Sequence, residues 1–290
     1  LVKTVHNGIE YADMQMIAEV YGLLRDAGGQ SAPQIGALFE RWQNGPLGSY
    51  LIEVSAAALQ TVDADSGPPM VDLILDKAGQ KGTGRWTLIE ALKLGQSASA
   101  IEAAVGARGW SSEKALRVAA APLLPDAVIG GDLPSDADLH SALLAARILG
   151  HAQGFRVLAA ASDEFNWHLD MARIAEIWRA GCIIRSALLD DLADAFHAGL
   201  PEGALILAPA LREMLGDHLA GLRKTVAAGV SLGIPMPALS ASLAWYDTIR
   251  TARGSANLIQ AQRDFFGAHG FERGDIAGAH HGTWNAIFRD

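Results

Sequence analysis

Long segments with the residue spacing of amphipathic helices cover most of this 290-residue sequence. Apolar residues recur at intervals of three and four, whereas convincing strand-type alternation is absent throughout. Clusters of Gly, Pro, Asn and Asp separate the segments and mark where one helix ends and the next begins. Half of the residues are hydrophobic, and Ala and Leu dominate, a composition typical of packed helices. The sequence therefore predicts an all-α fold.

The first helix is predicted from the start of the chain to about Arg25, ahead of Gly28 and Gly29. The segment IGALFERW at 35–42 resembles IAEIWRAG at 174–181, which favours two related helical units. Further helices are predicted at about 33–43, 47–60, 68–78, 86–94, 97–106, 112–119, 135–163, 170–199, 207–230 and 236–264.

The end of the chain differs in character from the helical segments. Residues 267–290 are rich in Gly, His and aromatic residues and have little helical period. We expect a helical domain over 1–264. We expect 265–290 to be an extended C-terminal tail that reaches the partner subunit.

Charge and composition exclude several classes of protein. The net charge of -9 argues against nucleic acid as a bulk partner, because backbone binding needs concentrated Lys and Arg. The sequence contains no run of about 18 apolar residues, the length that a membrane-spanning helix needs. The single cysteine, Cys182, cannot form an internal disulfide, and we expect a cytoplasmic protein. Because the sequence begins at Leu1 without a cap or lead-in, we also expect a natural chain that is longer at its N-terminus.

The opening LVKTVHNGIEYADM places polar groups at the spacing of one helix face. Lys3, His6, Asn7, Glu10 and Tyr11 fall at i, i+3, i+4, i+7 and i+8. Such a face can be merely solvated, or its groups can converge on one small ligand. In the second case an amine and a carboxylate in one desolvated cleft can have pKa values tuned towards neutrality, as acid–base catalysis requires. A metal site at His6 and Glu10 lacks an obvious third ligand.

Other segments carry candidate anion ligands. AGQKGTGRW at 78–86 combines glycines, Lys81 and Thr83 just before a helical pattern, which suits an oxyanion or phosphate but also an ordinary turn. Arg108 and Arg263 are candidate fork donors to a phosphate or carboxylate. Cys182 has apolar neighbours, which favours a small core residue over a nucleophile. No G-x-G-x-x-G follows a strand, and no G-x-S-x-G or paired-Cys metal site occurs.

Taken together, the segments resemble the C-terminal all-α domain of 6-phosphogluconate dehydrogenase. The resemblance runs in the family's order over nearly the whole chain. It rests on KTVHNGIEYADMQMIAE (3–19), GSYLIEV (48–54), AGQKGTGRW (78–86), AQGF (152–155), IWRAGCIIRS (177–186), NLIQAQRDFFGAH (257–269) and FER (271–273). The ending AGAHHGTW (277–284) departs from the family's histidine–threonine–tryptophan ending, and the family's nucleotide-binding domain is missing from this chain.

The resemblance implies oxidative decarboxylation of 6-phosphogluconate to ribulose 5-phosphate and CO2, with NADP as cofactor, NAD remaining possible, and no metal. It implies that Lys3 is the general base and Glu10 the acid that protonates C1 of the enediol. Asn7 would also lie near the nicotinamide. The implied substrate ligands are His6, Asn7, Tyr11, Lys81, Thr83, Arg108, Arg263 and His269.

The resemblance further implies that the domain over 1–264 binds substrate and dimerises. In the implied homodimer, Arg263 and His269 reach the neighbouring subunit's site. Two alternatives stay open. One is a catalytically silent helical dimerisation module, and the other is a dehydrogenase for another β-hydroxyacid. This chain alone is expected to be inactive, because the nucleotide-binding domain is missing.

Overall fold

A computed structural model describes residues 1–284, and the thirteen α-helices within them confirm the predicted all-α class. Two strands of two residues each, β1 (Phe271–Glu272) and β2 (Ala279–His280), pair antiparallel with Phe271 opposite His280. The predicted tail therefore contains a short hairpin. Its last part, 285–290, lies outside the described residues.

Most helices follow the predicted segments, and α1 continues beyond Gly22 as one π-helical stretch, Leu23–Ala27. The helix predicted at 68–78 is wrong in length, because only Met70–Leu73 is helical there. Short 3₁₀ turns occur at Pro201–Gly203 and Leu205–Leu207. The α-helices are α1 (Val2–Gly22), α2 (Ala32–Trp42), α3 (Tyr50–Gln60), α4 (Met70–Leu73), α5 (Thr83–Lys93), α6 (Ser99–Ser112), α7 (Lys114–Ala120), α8 (Asp136–Glu164), α9 (Met171–Trp178), α10 (Leu188–Ala198), α11 (Pro209–Ser231), α12 (Pro237–Ile249) and α13 (Ala256–Gly267).

The chain forms two compact units, Leu1–Trp245 and Tyr246–Asp290. The first contains the apolar core, built around α1, α8 and α11. The second contains α13 and the hairpin. The boundary predicted at 264/265 separates a domain that binds substrate and dimerises from a tail that reaches the partner subunit. This functional division stays a prediction.

A long helix followed by a helical hairpin occurs twice in the first unit. α1 precedes α2 and α3, and α8 precedes α9 and α10. The two hairpin loops meet at an antiparallel bridge between Ser49 and Ser186. There the Tyr50 N–H donates to the Arg185 carbonyl (3.1 Å), and the Ala187 N–H donates to the Gly48 carbonyl (3.0 Å). This arrangement agrees with the predicted pair of related helical units.

Helix α8 is the centre of the first unit, with 29 residues and an almost wholly buried middle. Its Arg147 Nε donates to Asp13 Oδ1 of α1 (3.0 Å), and its Nη1 donates to the Leu47 carbonyl (3.0 Å). A buried ion pair thus joins the two long helices to the α2–α3 loop. Among the described residues, no helix combines the length and apolar character needed to cross a membrane.

Two predicted helices are wrong as single elements. The segment 170–199 divides into α9 and α10, because the residues between them leave the helix to pair with the loop before α3. The Cys182 thiol donates to the Trp178 carbonyl (2.9 Å), where α9 ends. The segment 236–264 divides into α12 and α13 around Gly254, a residue type with low helix propensity.

Candidate active site

The polar face of α1 is largely buried. His6, Glu10 and Tyr11 are all at most 9% exposed. Asn7 is half-buried, and only Lys3 is exposed. This burial contradicts a merely solvated face. Burying polar groups costs free energy unless they are hydrogen-bonded, so their position needs another explanation. The packing of α1 therefore places a chemically mixed set of groups at the border between the core and solvent.

His6 lies against aromatic surface without a hydrogen-bond partner for its ring. Its imidazole meets the Trp178 ring edge-on, with centroids 5.4 Å apart and an interplanar angle of 72°. Neither ring nitrogen has a partner of good geometry among residues 1–284. Burial, aided by the nearby charge of Lys3, lowers the pKa of His6 to about 4, although the Asn7 side chain, which is close but poorly aligned for a hydrogen bond, opposes the shift. The imidazole is therefore neutral at physiological pH and can both donate and accept a hydrogen bond.

Glu10 and Asn7 form a pair on the next turn of the helix. The Asn7 Nδ2 donates to Glu10 Oε2 (3.1 Å), while the buried Asn7 Oδ1 has no partner within the described residues. Burial raises the pKa of Glu10, and the charges of Arg108 and Lys3 oppose that rise. A carboxyl group whose pKa is raised towards neutrality suits a general acid.

Arg108 of α6 covers Tyr11. Its guanidinium carbon lies 3.4 Å from the Tyr11 ring centroid, a cation–π contact, and its Nη1 donates to the Gly79 carbonyl (3.3 Å). Burial lowers the pKa of Arg108, although Tyr11 and Glu10 oppose that shift. The arginine thus joins the α1 face to the Gly-rich segment before α5.

The Gly-rich segment leads directly into the N-terminus of α5. Gly82 is the N-cap residue, and its φ of 99° lies in the left-handed region that favours glycine. Thr83 begins the helix and is half-buried, whereas Lys81 is exposed. Thr87, one turn later, donates its hydroxyl to the Thr4 carbonyl (2.7 Å) and so fixes α5 against α1. The first N–H groups of α5 and a nearby cation suit an anion.

The remaining two predicted residues lie in the second compact unit. Arg263 is on α13 and His269 is in the turn that follows it, and both are exposed. Their predicted role involves a partner subunit, so it stays a prediction.

The family model for the C-terminal domain of 6-phosphogluconate dehydrogenase matches residues 1–284. This chain belongs to that family. The decarboxylating 6-phosphogluconate dehydrogenase of Shigella flexneri is 46% identical over 286 residues, which are 98% of this chain and 61% of the relative. The chain thus spans about three fifths of the length of the curated relatives it matches.

Relatives of similar identity differ in their cofactor. Bacillus subtilis has an NADP⁺-dependent enzyme that is 43% identical and an NAD⁺-dependent enzyme that is 42% identical, each over 98% of this chain and 61% of the relative. The 6-phosphogluconate dehydrogenase of Plasmodium falciparum is similar in structure, with a TM-score of 0.93 and 38% identity over 98% of this chain and 62% of that one. That protein was solved in its apo form, with NADP⁺ and with 6-phosphogluconate.

The structure brings most of the predicted family site together in the first unit. Contacts join Asn7 to Glu10 and Arg108 to Tyr11, and the Gly79 carbonyl brings in the segment that carries Lys81 and Thr83. Among residues 1–284, no group of three or more His, Cys, Asp and Glu side chains that could hold a metal ion is found.

The sequence did not indicate that Trp178 packs against His6. Trp178 lies in IWRAGCIIRS, a segment that carried the resemblance but received no role. The same segment contains Cys182, which is half-buried, and burial raises the pKa of its thiol. A thiol with a raised pKa is a poor nucleophile, which agrees with the structural interpretation of this cysteine. The resemblance of IWRAGCIIRS to the family could have indicated Trp178, because no other role had been found for this segment.

Proposed function

We propose that this chain is the substrate-binding and catalytic part of a decarboxylating 6-phosphogluconate dehydrogenase. The enzyme would convert 6-phospho-D-gluconate into D-ribulose 5-phosphate and CO2, in the pentose phosphate pathway, with reduction of NADP. The main supporting observation is the α1 face. There an exposed Lys3 and a buried Glu10 of raised pKa flank groups with unused hydrogen-bonding capacity.

In this proposal the two ends of the face act at different steps. Lys3 takes the proton of the 3-hydroxyl as C3 loses its hydride, and NADP, when bound, supplies the hydride acceptor. The β-keto acid then loses its C1 carboxylate as CO2 and leaves an enediol, and Glu10 donates a proton to the terminal carbon. A buried carboxyl group whose pKa is raised holds its proton more firmly than an exposed one, which suits a proton donor.

The polar groups between these two residues would orient the sugar acid. The ring nitrogens of His6 and the Oδ1 of Asn7 are buried and have no partner among residues 1–284. Substrate hydroxyl and carboxylate groups would supply the missing hydrogen bonds, so that binding removes a desolvation cost. The free Asn7 oxygen also fits the amide N–H of a nicotinamide carboxamide, and this is the one cofactor contact we assign.

The phosphate would lie near the N-terminus of α5, with Lys81, Thr83, Tyr11 and Arg108 as ligands. Arg108 is already oriented by the Tyr11 ring and the Gly79 carbonyl. In a protein of net charge -9, these cations form a local anion site rather than a general basic surface. Arg263 and His269 would complete the site from the partner subunit of a homodimer.

The test is the turnover of 6-phosphogluconate with NADP by the natural full-length protein. We expect Lys3→Met to lower kcat by about a hundred- to ten-thousandfold, the usual range for loss of a general base, with the fold retained. Lys93→Met, which changes an exposed lysine paired with Glu90, is the matched control. Near-normal turnover by Lys3→Met would remove Lys3 as the base.

The same assay decides between the proposal and its alternatives. No turnover by the intact wild-type protein, despite binding of a sugar phosphate, would favour a silent dimerisation module. Turnover of a different β-hydroxyacid in preference to 6-phosphogluconate would favour another dehydrogenase. Both results would contradict the proposed reaction.

A further inference from the structure

The last turn of α13 and the residues after it contain a network of hydrogen bonds centred on one carboxylate. Asp264 is only 4% exposed, although it lies between the exposed Arg263 and Phe265 in sequence. Four donors from later in the chain converge on it. They are the Gly270 N–H (2.9 Å), His281 Nδ1 (2.6 Å), the Gly282 N–H (2.8 Å) and Trp284 Nε1 (2.7 Å).

These bonds join the two ends of the hairpin to the helix. Gly270 precedes β1, while the other three donors follow β2. The donors hold the pKa of Asp264 well below its usual range, with the Gly282 N–H first among the causes. The carboxylate is therefore charged at neutral pH, and charge-assisted hydrogen bonds of this kind are among the stronger ones in proteins.

Gln260 lies one helical turn before Asp264 on α13 and also bonds to Gly270, in the chain reversal that follows the helix. Its Nε2 donates to the Gly270 carbonyl (2.5 Å), and its Oε1 accepts from Arg263 Nη1 (3.1 Å). Gly270 is thus bonded at its N–H by Asp264 and at its carbonyl by Gln260. Since Gln260 also contacts the Arg263 guanidinium, the arginine and the turn share one support.

His269 is confined by the residues around it. Ala268 has a φ of 50°, in the left-handed region, so the chain reverses directly before the histidine. The imidazole folds back over Gly267, where an added Cβ would lie 2.6 Å from the His269 Nε2. It also meets the Phe266 ring edge-on, with centroids 6.3 Å apart. The position of the ring therefore depends on the turn that Asp264 and Gln260 hold.

We propose that Asp264 and Gln260 are positioning residues that fix Arg263 and His269 in the orientation in which they bind the phosphorylated sugar acid. This inference rests on the proposed function of Arg263 and His269. Neither positioning residue touches the substrate in this account. They restrict the side chains of Arg263 and His269 before the substrate binds, so less conformational entropy is lost on binding. Preorganisation of this kind increases affinity.

The first experiment measures kcat and KM for 6-phosphogluconate in the natural full-length protein, at saturating NADP. We expect Asp264→Asn to raise KM about tenfold, the order expected for loss of hydrogen bonds to a charged group, with a smaller change in kcat. Gln260→Ala should raise KM less. Asp275→Asn is the matched control, because it makes the same change at an exposed carboxylate of the same unit that pairs with Arg273. An unchanged KM in Asp264→Asn would overturn the proposal.

A double-mutant cycle separates positioning from general damage to the tail. In the Arg263→Ala, His269→Ala background, Asp264→Asn should have almost no further effect on KM, because the groups it positions are gone. An equal effect in both backgrounds would show that Asp264 acts by another route. If Arg263→Ala and His269→Ala leave KM unchanged, the proposed substrate role of the tail fails and the positioning role fails with it.

Hydrogen exchange tests the network without reference to substrate. In Asp264→Asn, the amides of Gly270 and Gly282 should exchange faster, whereas in Asp275→Asn they should not. Unchanged exchange in Asp264→Asn would overturn the positioning role even where Arg263 and His269 prove to be substrate ligands. The two kinds of failure are therefore distinguishable.

Discussion

The two halves of α1 bury polar groups in opposite ways. In the first half, His6 and Asn7 have buried atoms without partners among residues 1–284. In the second half, Asp13 accepts from the buried Arg147. Glu19 accepts from the Ala238 N–H (2.8 Å), the Leu239 N–H (2.9 Å) and the Gln15 side chain (3.0 Å).

Under the proposed function, the difference separates groups that hold the fold from groups that would bind the substrate. A buried polar atom without a partner costs free energy, so its persistence in a packed helix needs another reason. The carboxylates of the second half are bonded to α8 and to the start of α12, and they fix the position of α1. In the proposed function, the atoms of the first half that lack partners would accept and donate hydrogen bonds to the sugar acid.

The most direct test of this difference replaces one carboxylate in each half of α1 by the corresponding amide. We expect Asp13→Asn to lower the free energy of unfolding by about 3–5 kcal/mol, because it leaves the Arg147 charge buried and unpaired. We expect Glu10→Gln to leave stability unchanged or raised, because burial raises the pKa of Glu10 and so disfavours its charged form in the fold. Urea unfolding followed by tryptophan fluorescence measures both.

An exposed pair provides the control for Asp13. Asp136 bonds to Arg41 at 3.3 Å with both side chains at least 60% exposed, so Asp136→Asn should cost less than about 1 kcal/mol. Equal losses for Asp13→Asn and Glu10→Gln would mean that both halves serve the fold alike. The division of α1 into structural and functional halves would then be wrong.

The sequence predicted the first half of α1 better than the second. The spacing of Lys3, His6, Asn7, Glu10 and Tyr11 is local, so a helical period alone places them on one face. The partners of the second half lie far along the chain, with Arg147 134 residues after Asp13 and Ala238 219 residues after Glu19. Local periodicity carries no information about such contacts, and these charges received no role from the sequence.

The same limit explains the two misjudged helices. The sequence between α9 and α10 has enough apolar residues for one continuous helix. The chain leaves the helix there because Arg185 and Ala187 bond to the backbone of the α2–α3 loop, more than a hundred residues earlier. Trp178, whose ring meets His6 of α1, is the last residue of α9, directly before this break. The polar face of α1 was thus predictable from local spacing, whereas the position of the Trp178 ring beside His6 depended on tertiary pairing.

A second prediction concerns Glu19, where burial raises the pKa to about 7 although three hydrogen bonds oppose that shift. The folded state then retains a proton that the unfolded chain loses near the ordinary glutamate pKa of 4.5. Stability should therefore fall as pH rises through this window, by roughly 3 kcal/mol in total. Glu19→Gln should remove this pH dependence, even though its amide accepts fewer backbone bonds.

The measurement for Glu19 is the difference in unfolding free energy between wild type and variant across the window from pH 4.5 to 7. Glu164→Gln, at the exposed end of α8, should leave the pH dependence of wild type intact. A difference that stays constant with pH would show that Glu19 is charged throughout. Its role would then be that of an ordinary anionic cap for α12.

The last prediction concerns His6 in the first half. Its pKa of about 4 lies below the ordinary histidine pKa of 6.5, so the unfolded chain binds a proton in this range that the folded chain does not. Stability should therefore fall as pH is lowered from 6.5 towards 4, and His6→Phe, which can keep an aromatic contact with Trp178, should weaken that fall. The readout is the slope of unfolding free energy against pH, with exposed His197→Phe as control. A steep slope that survives in His6→Phe would mean that the imidazole finds a partner when charged. The first half of α1 would then resemble the second.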